Sequence, residues 1–537
     1  MTDRLYLYDT TLRDGQQTQG VQFSAAEKVE IAQMLDALGL DYIEGGWPGA
    51  NPTDSEFFDH APKTRATLAA FGMTKRAGRS AGNDEVLAGV LNAGTDCICL
   101  VGKTHDFHVT EALGISLEEN LGNIRDSLAH IVAQGREAIF DAEHFFDGWK
   151  ANPAYALSCL IAARDAGARW IVLCDTNGGT LPHEIEAIVG QVISAGIPGD
   201  RLGIHTHDDT GNAVAGSLAA IRAGARQVQG TLNGLGERCG NANLTTLIAT
   251  LALKPEFAPL VPQISPDALK TLLKTSRRLD EILNRAPAPN APYVGASAFA
   301  HKAGLHASAI VKNPTTYEHV TPDCVGNARV IPMSNQAGQS NLRARLLEAG
   351  LDIPESADLA AILSDVKARE DQGYAYDVAQ ASFELLARRH LGQLPRFFEV
   401  ERYRVIVERR RNAKGLQISV SEAVVVVSLH GQRMMSVSES HGEDDHDDRG
   451  PVNALWRALA KDLGPYQAAI DDMRLVDFRV RITQGGIEAV TRVTIDSEDA
   501  QGQRWSTVGV SANIVDASFE ALQDAIIWKL IRDGITP

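Results

Sequence analysis

Short apolar runs alternate with amphipathic stretches as far as about residue 255. The runs Leu5–Tyr8, Tyr42–Gly45, Thr67–Phe71, Cys97–Val101, Ala138–Ala142, Trp170–Cys174, Leu202–His205 and Gln227–Leu232 have strand length and predict eight strands. Between them, apolar residues at three- and four-residue spacing predict helices. Val29, Ile31, Leu35 and Leu38 mark one over Ala25–Leu38, and others span Leu117–Ala133 and Leu181–Ser194. Ser24, with Glu27 three residues on, reads as a capping box at the first helix. Eight strand–helix repeats in about 250 residues predict an α/β fold, a (β/α)8 TIM barrel. An open doubly wound sheet is the rival, but no G-x-G-x-x-G follows the first strand, and polar clusters follow many strands instead of one.

Beyond the eighth strand the pattern changes. Pro255, Pro259, Pro262 and Pro266 mark the exit from the barrel, placing the catalytic domain at 1–265. A helix over Leu269–Leu283 follows, then the breaker-rich Arg285-Ala286-Pro287-Ala288-Pro289-Asn290-Ala291-Pro292 and further helical stretches. Residues 266–395 read as a helical connector that completes the active site. Strand-like alternation returns at Phe398–Glu408, Leu416–Leu429, Val476–Ile482 and Ala489–Asp496, with helices over Val452–Leu463 and Ala517–Arg532. That predicts a C-terminal α+β regulatory domain over 396–537. The acidic run Glu443-Asp444-Asp445-His446-Asp447-Asp448 reads as a solvated loop in preference to a second metal site.

Composition narrows the function. The net charge of −17, with no basic face, excludes a nucleic-acid partner while allowing a local site for small anions. No apolar run is long enough to cross a bilayer, and the N-terminus enters a strand at once, so neither membrane span nor signal peptide is expected and the expected location is cytoplasmic. None of the six cysteines forms a C-x-x-C pair, and they read as reduced, buried small hydrophobes. Cys239 is the exception, because it lies inside a glycine-rich motif.

Chemistry-bearing residues recur where the strands end, the positions that converge on the mouth of a barrel. Arg13 and Asp14 follow strand one, Glu143 strand five and Thr176 strand six. His205 and His207 end strand seven, and Asn233–Asn241 follows strand eight. The H-x-H spacing puts two imidazoles on one side of a strand. With Asp14 they form a mixed oxygen and nitrogen donor set for Mg, Mn or Zn, to which the Asn241 carbonyl can add an oxygen. Two histidines and a carboxylate also suit a non-haem iron, so the donors leave the metal open. Arg13 would set a permanent positive charge beside an oxygen polarised by the ion. Glu143 is a general base or acid, or a solvated strand-end carboxylate, with equal weight on each. Thr176 hydrogen-bonds a substrate carboxylate or caps the following helix. His144 and His301 read as structural or supporting.

Asp9-Thr10-Thr11-Leu12-Arg13-Asp14-Gly15, His205-Thr206-His207-Asp208 and Asn233-Gly234-x-Gly236-Glu237-Arg238-x-Gly240-Asn241 together closely resemble the DRE-TIM metallolyase superfamily. Within it the chain resembles the α-isopropylmalate, homocitrate and citramalate synthase group over essentially its whole length. Ala303-Gly304-Leu305-His306 followed by Tyr317, and Gly509–Ser518, match that group's downstream motifs. Ser308 stands where the group commonly carries an acidic or amide residue. Tyr42–Pro52 and Asp141–Asp147 look like the citramalate branch.

The resemblance implies a metal-dependent condensation of acetyl-CoA with pyruvate and hydrolysis of the thioester, in isoleucine biosynthesis. The nearest alternative is the isopropylmalate reaction on 2-oxoisovalerate, in leucine biosynthesis. It further implies Asp14, His205, His207 and Asn241 as metal ligands, and Arg13, Thr176 and Gln17 as contacts to substrate. Glu143 and His306 become the candidate bases, with Tyr317 orienting or donating a proton. Leu100, at the end of strand four, is the expected wall of a small apolar pocket. A homodimer, with isoleucine or leucine as feedback effector, is implied for the C-terminal domain, whose Gln484-Gly485-Gly486 and Gly509-Val510-Ser511 are expected to be turns. A retro-reaction lyase on the same barrel lacks a reason for the extra domains. A catalytically dead amino-acid sensor lacks a reason for the intact Arg13, Asp14, His205 and His207.

Overall fold

The computed structural model of the chain describes residues 3–333, 338–411, 417–442, 450–461, 463–484 and 489–537. By contacts the chain forms two compact units, Met1–Phe299 with Val320–Ala328, and Ala300–His319 with Arg329–Pro537. The sequence predicts three domains; by contacts most of residues 266–395 group instead with the C-terminal residues.

The first unit is the TIM barrel. Its strands are β1 (Tyr6–Asp9), β2 (Tyr42–Gly46), β3 (Thr67–Met73), β4 (Cys97–Lys103), β5 (Glu137–Glu143), β6 (Trp170–Asp175), β7 (Leu202–Thr206) and β8 (Gln227–Gly230). Every neighbour is parallel, and β1 pairs with both β2 and β8, closing the sheet. Helices alternate with the strands. The first, α1 (Ala25–Leu38), has the expected capping box from Ser24 and Glu27 and stops at Gly39, whose φ of 91° no helix continues. β8 is shorter than the sequence predicts, because Leu232–Gly234 turns into a single 3₁₀ turn.

Alternation along each strand sorts the side chains into two layers. Leu7, Ile98, Leu100, Phe140, Leu173, Ile204 and Val228 face the surrounding helices in one large core. Tyr8, Tyr42, Phe71, Cys97, Cys99, Ile139, Trp170, Val172 and Cys174 fill the barrel interior. That interior is partly polar. The Trp170 indole donates to the Tyr42 hydroxyl at 3.2 Å, and Tyr42 donates to Glu137 at 2.7 Å. The lower barrel is therefore a packed plug, and the open end is the one carrying the strand-end residues.

The second unit carries the connector helices Gly304–Lys312, Gln339–Glu348, Leu359–Asp371 and Gln380–His390. Two three-stranded antiparallel sheets follow. One runs in the order β11 (Gln432–Gly442), β10 (Gln417–Leu429), β9 (Glu399–Arg411), the other β12 (Arg474–Gln484), β13 (Val490–Glu498), β14 (Arg504–Ser511). The helices Gly450–Ala460 and Ile514–Arg532 pack on them around one core. The sequence reading missed β11 and β14. It also took Gly509-Val510-Ser511 for a turn, whereas these residues end β14. Gly509 lets the strand approach the last helix, since a Cβ there would lie 2.0 Å from the Ala517 carbonyl oxygen. The acidic run 443–448, and Gly485 and Gly486, lie outside the described residues. Among the described residues no helix is long and apolar enough to cross a membrane.

Candidate metal centre and substrate cavity

The strand ends converge as the spacing requires. Arg13, Asp14, Gln17, Glu143, Thr176, His205 and His207 line one cavity of about 290 Å3 at the barrel mouth. Asn241, buried, stands directly behind them, held there by a bridge that pairs it with His207. Leu100 is a correction. It points outward into the sheet–helix core, and its neighbour Val101 lines the cavity with Trp47 and Phe71.

Asp14, His205 and His207 place one donor atom each within 4.8 Å of one another. The Nε2 atoms of the two histidines face each other at 3.4 Å, and Asp14 Oδ2 lies 3.2 Å from that of His205. Two nitrogen lone pairs and a carboxylate at such distances need a proton or a cation among them. Burial and the neighbouring His205 push His207 down to about 4, leaving a neutral imidazole. Burial acts to raise the Asp14 carboxyl, but Arg13 and His205 outweigh it and hold it well below the usual carboxylate range. An ionised carboxylate and a neutral imidazole are the forms a divalent ion binds.

The surroundings aim these donors. Gln229, inside β8, donates from Nε2 to Asp141 at 3.0 Å, so its Oε1 accepts the His205 Nδ1–H at 2.8 Å. Nε2 of His205 is thereby turned to the cluster, where burial acts to lower its pKa but Asp14 outweighs it and raises it, so an ion binding there would displace a proton. Asn241 Nδ2 donates to Asp14 at 2.7 Å, while its buried Oδ1 has no partner. A half-turn of that amide presents the oxygen to the cluster. The room comes from Gly236, where a Cβ would lie 1.9 Å from Oδ1. The four residues fit a Mg, Mn or Zn site with open positions for substrate.

Arg13 is held on three sides. Its Nε donates to Glu44 at 2.6 Å, its guanidinium lies 3.8 Å over the Phe71 ring, and Asp14 stands 3.5 Å away. Burial opposes its charge, but Glu44 and Asp14 raise its pKa further above the ordinary value. Glu44 is buried on β2 and also accepts the Tyr8 hydroxyl at 2.8 Å. The sequence reading gave no role to Glu44, Gln229 or Asp141. The signal was there: each is a polar residue within or at the end of an apolar strand.

Thr176 Oγ accepts the His144 amide at 2.8 Å, which leaves its own hydrogen free to donate into the cavity. Arg238 fixes that loop. It grips Asp209 through two bonds of 2.8 and 2.9 Å and donates to the Thr176 carbonyl at 2.8 Å, from a backbone held at φ 59°. Lys103 pairs with Glu143 Oε2 at 2.6 Å, while Oε1 is 4.0 Å from His144. His306 and Tyr317 stand together in the second unit, their rings stacked 4.1 Å apart. His301 in that unit is bonded to Glu318 at 3.2 Å. All six cysteines are free, and Cys239 is exposed.

Residues 4–277 match the HMGL-like family, residues 293–374 the homocitrate synthase post-HMGL domain-like family and residues 377–529 the LeuA allosteric (dimerisation) domain. The (R)-citramalate synthase of Aquifex aeolicus is 46% identical over 99% of each chain. That of Synechocystis is 46% identical over 99% of this chain and 97% of its own. A probable 2-isopropylmalate synthase of Methanopyrus kandleri is 32% identical over 97% of each.

Proposed function

Because the chain belongs to the citramalate synthase family, we propose that it condenses acetyl-CoA with pyruvate and hydrolyses the thioester, releasing citramalate and CoA. The observation that carries this reading is the buried Asp14, His205 and His207 cluster set beside Arg13 in one small cavity. These three residues and Asn241 would hold a divalent ion, which would supply a Lewis acid for the ketone of pyruvate.

The residues of the chain do the rest. Arg13, already aimed by Glu44 and Phe71, stabilises the negative charge that builds on the ketone oxygen as the acetyl carbon attacks. Thr176 donates its free hydroxyl hydrogen to the pyruvate carboxylate, with Gln17 as a further contact. Glu143 keeps Oε1 available to take a proton from the acetyl methyl while Lys103 anchors Oε2. His306 and Tyr317 share in that proton transfer and in returning a proton to the new alkoxide. Water then attacks the thioester carbonyl, and the CoA sulfur leaves as a thiol. The apolar wall of Trp47, Phe71 and Val101 rejects bulkier 2-oxo acids chiefly by excluded volume.

Residues 1–265 act as the catalytic barrel, 266–395 as the connector and 396–537 as the regulatory, dimerising domain, with isoleucine as its effector. The enzyme works in the cytoplasm. Thiol release from acetyl-CoA with pyruvate, 2-oxoisovalerate or 2-oxoglutarate tests the assignment. The highest kcat/KM belongs to pyruvate; a preference for 2-oxoisovalerate would replace this reading with the isopropylmalate reaction.

A further inference from the structure

Lys28 is the most deeply buried ammonium of the barrel, with no exposed side-chain surface. It projects from α1 beneath the mouth. Burying such a charge carries a large desolvation penalty, and an apolar side chain would fill the same space without it. A helix that needed only packing would have no use for it.

The acceptors explain its presence. An ammonium has three hydrogens, and here each finds a partner. One goes to the Leu12 carbonyl at 2.7 Å, one to the Gly45 carbonyl at 3.1 Å and one to the Asp54 carboxylate. Leu12 immediately precedes Arg13, and Gly45 immediately follows Glu44. The second Asp54 oxygen takes the backbone N–H of Trp47 at 2.8 Å, and Trp47 lines the cavity. The Arg13–Glu44 bond of 2.6 Å joins the loop after β1 to β2. Lys28 joins these same two segments through their backbone, at the Leu12 and Gly45 carbonyls.

We propose that Lys28 is a positioning residue for the condensation: its ammonium ties the Leu12 and Gly45 carbonyls and so sets the spacing at which Glu44 aims Arg13 at the ketone oxygen. Nothing in this requires Lys28 to touch substrate. The idea rests on the proposed reaction only for its kinetic arm, since the tie itself can be read without turnover.

The test compares the full-length wild type with Lys28→Met and with Lys28→Met/Asp54→Asn. The single change strands a buried carboxylate and lowers the melting temperature. The double change removes that unpaired charge and restores most of the melting temperature, yet leaves the tie cut. Misplacing a catalytic group by about an ångström costs up to about a hundredfold in rate, so kcat with pyruvate in the double variant falls by about ten- to a hundredfold. The KM for acetyl-CoA stays within about twofold, because nothing in the tie is expected to contact that substrate. Amide exchange quickens by about tenfold or more in residues 12–17 and 44–47, with β5 to β7 unchanged. A double variant with recovered melting temperature and wild-type kcat would overturn the proposal. So would exchange that is unchanged or quickens across the whole barrel, or failure of both variants to fold, which would make Lys28 a folding determinant instead. Wild-type protein inactive on pyruvate would sink the reaction assignment alone, leaving the exchange result to decide on Lys28.

Discussion

Arg13 shows how little freedom the site leaves a single side chain. A planar cation stacked on Phe71 and bonded through Nε to Glu44 cannot be replaced by a flexible ammonium, although the charge is the same. Arg13→Lys therefore lowers kcat on the order of a hundredfold, and steady-state turnover with saturating pyruvate checks it; an unchanged kcat would remove Arg13 from the reaction. Gln229 is the second case. Gln229→Leu frees the His205 ring and leaves Asp141 without its donor, so affinity for Mn2+ falls about 10- to 100-fold. Calorimetric titration of the ion into wild type and variant reads that change directly. The metal donors were legible in the sequence because H-x-H and Asp14 announce themselves by residue type. Gln229 and Glu44 were less so, since a lone polar residue in an apolar run reads equally well as a structural hydrogen bond.

At the scale of elements, the barrel repeat was the clearest signal, because strands and helices carry different periods. Which face of a strand looks inward was harder. Parallel strands are buried on both faces and read as continuous apolar runs, so nothing in Cys97–Val101 separates Leu100 from Val101. The wall was assigned to the wrong one of two adjacent residues. β11 and β14 failed for the opposite reason: rich in serine and other polar residues, they present too little alternation to announce a half-buried edge strand. The segment bearing His306 and Tyr317 has its own anchor in Glu318, which accepts bonds of 2.6 Å from Arg329 and 3.2 Å from His301. The Arg329 bonds hold its carboxyl below the ordinary value, with burial opposing and His301 assisting. A carboxyl depressed in the folded state adds stability above its unfolded pKa, about 4.3, and loses it as pH falls through the folded value. The melting-temperature gap between wild type and Glu318→Gln is thus widest near neutrality and closes in acid. A gap that stays constant with pH would show that the charge of Glu318 contributes nothing.

Across the whole molecule, the second unit is knit together in a way that bears on how regulation is tested. The Val508 amide donates to Ser382 at 3.0 Å, and the Trp528 indole donates to Glu384 at 2.7 Å. Connector helix and C-terminal domain thus share a core, and cutting the chain near residue 395 would expose Phe383 and Leu386. Feedback is better measured on the intact chain: isoleucine lowers the rate of CoA release at concentrations where leucine does not, and stronger inhibition by leucine would reverse the effector assignment. Phe478, Val480 and Ile482 alternate along the edge strand β12 and, with Val476 at the irregularity before them, remain exposed in the single chain. A second copy can cover them, in keeping with the dimerisation domain matched there. The central claim, however, lies in the barrel mouth. The most direct measurement is an anomalous difference map from crystals grown with Mn2+ and pyruvate. A single strong peak bonded by Asp14, His205 and His207, with two pyruvate oxygens completing its shell beside Arg13, is the expected result. A cluster that holds no ion under those conditions, or pyruvate bound away from it, would contradict the account.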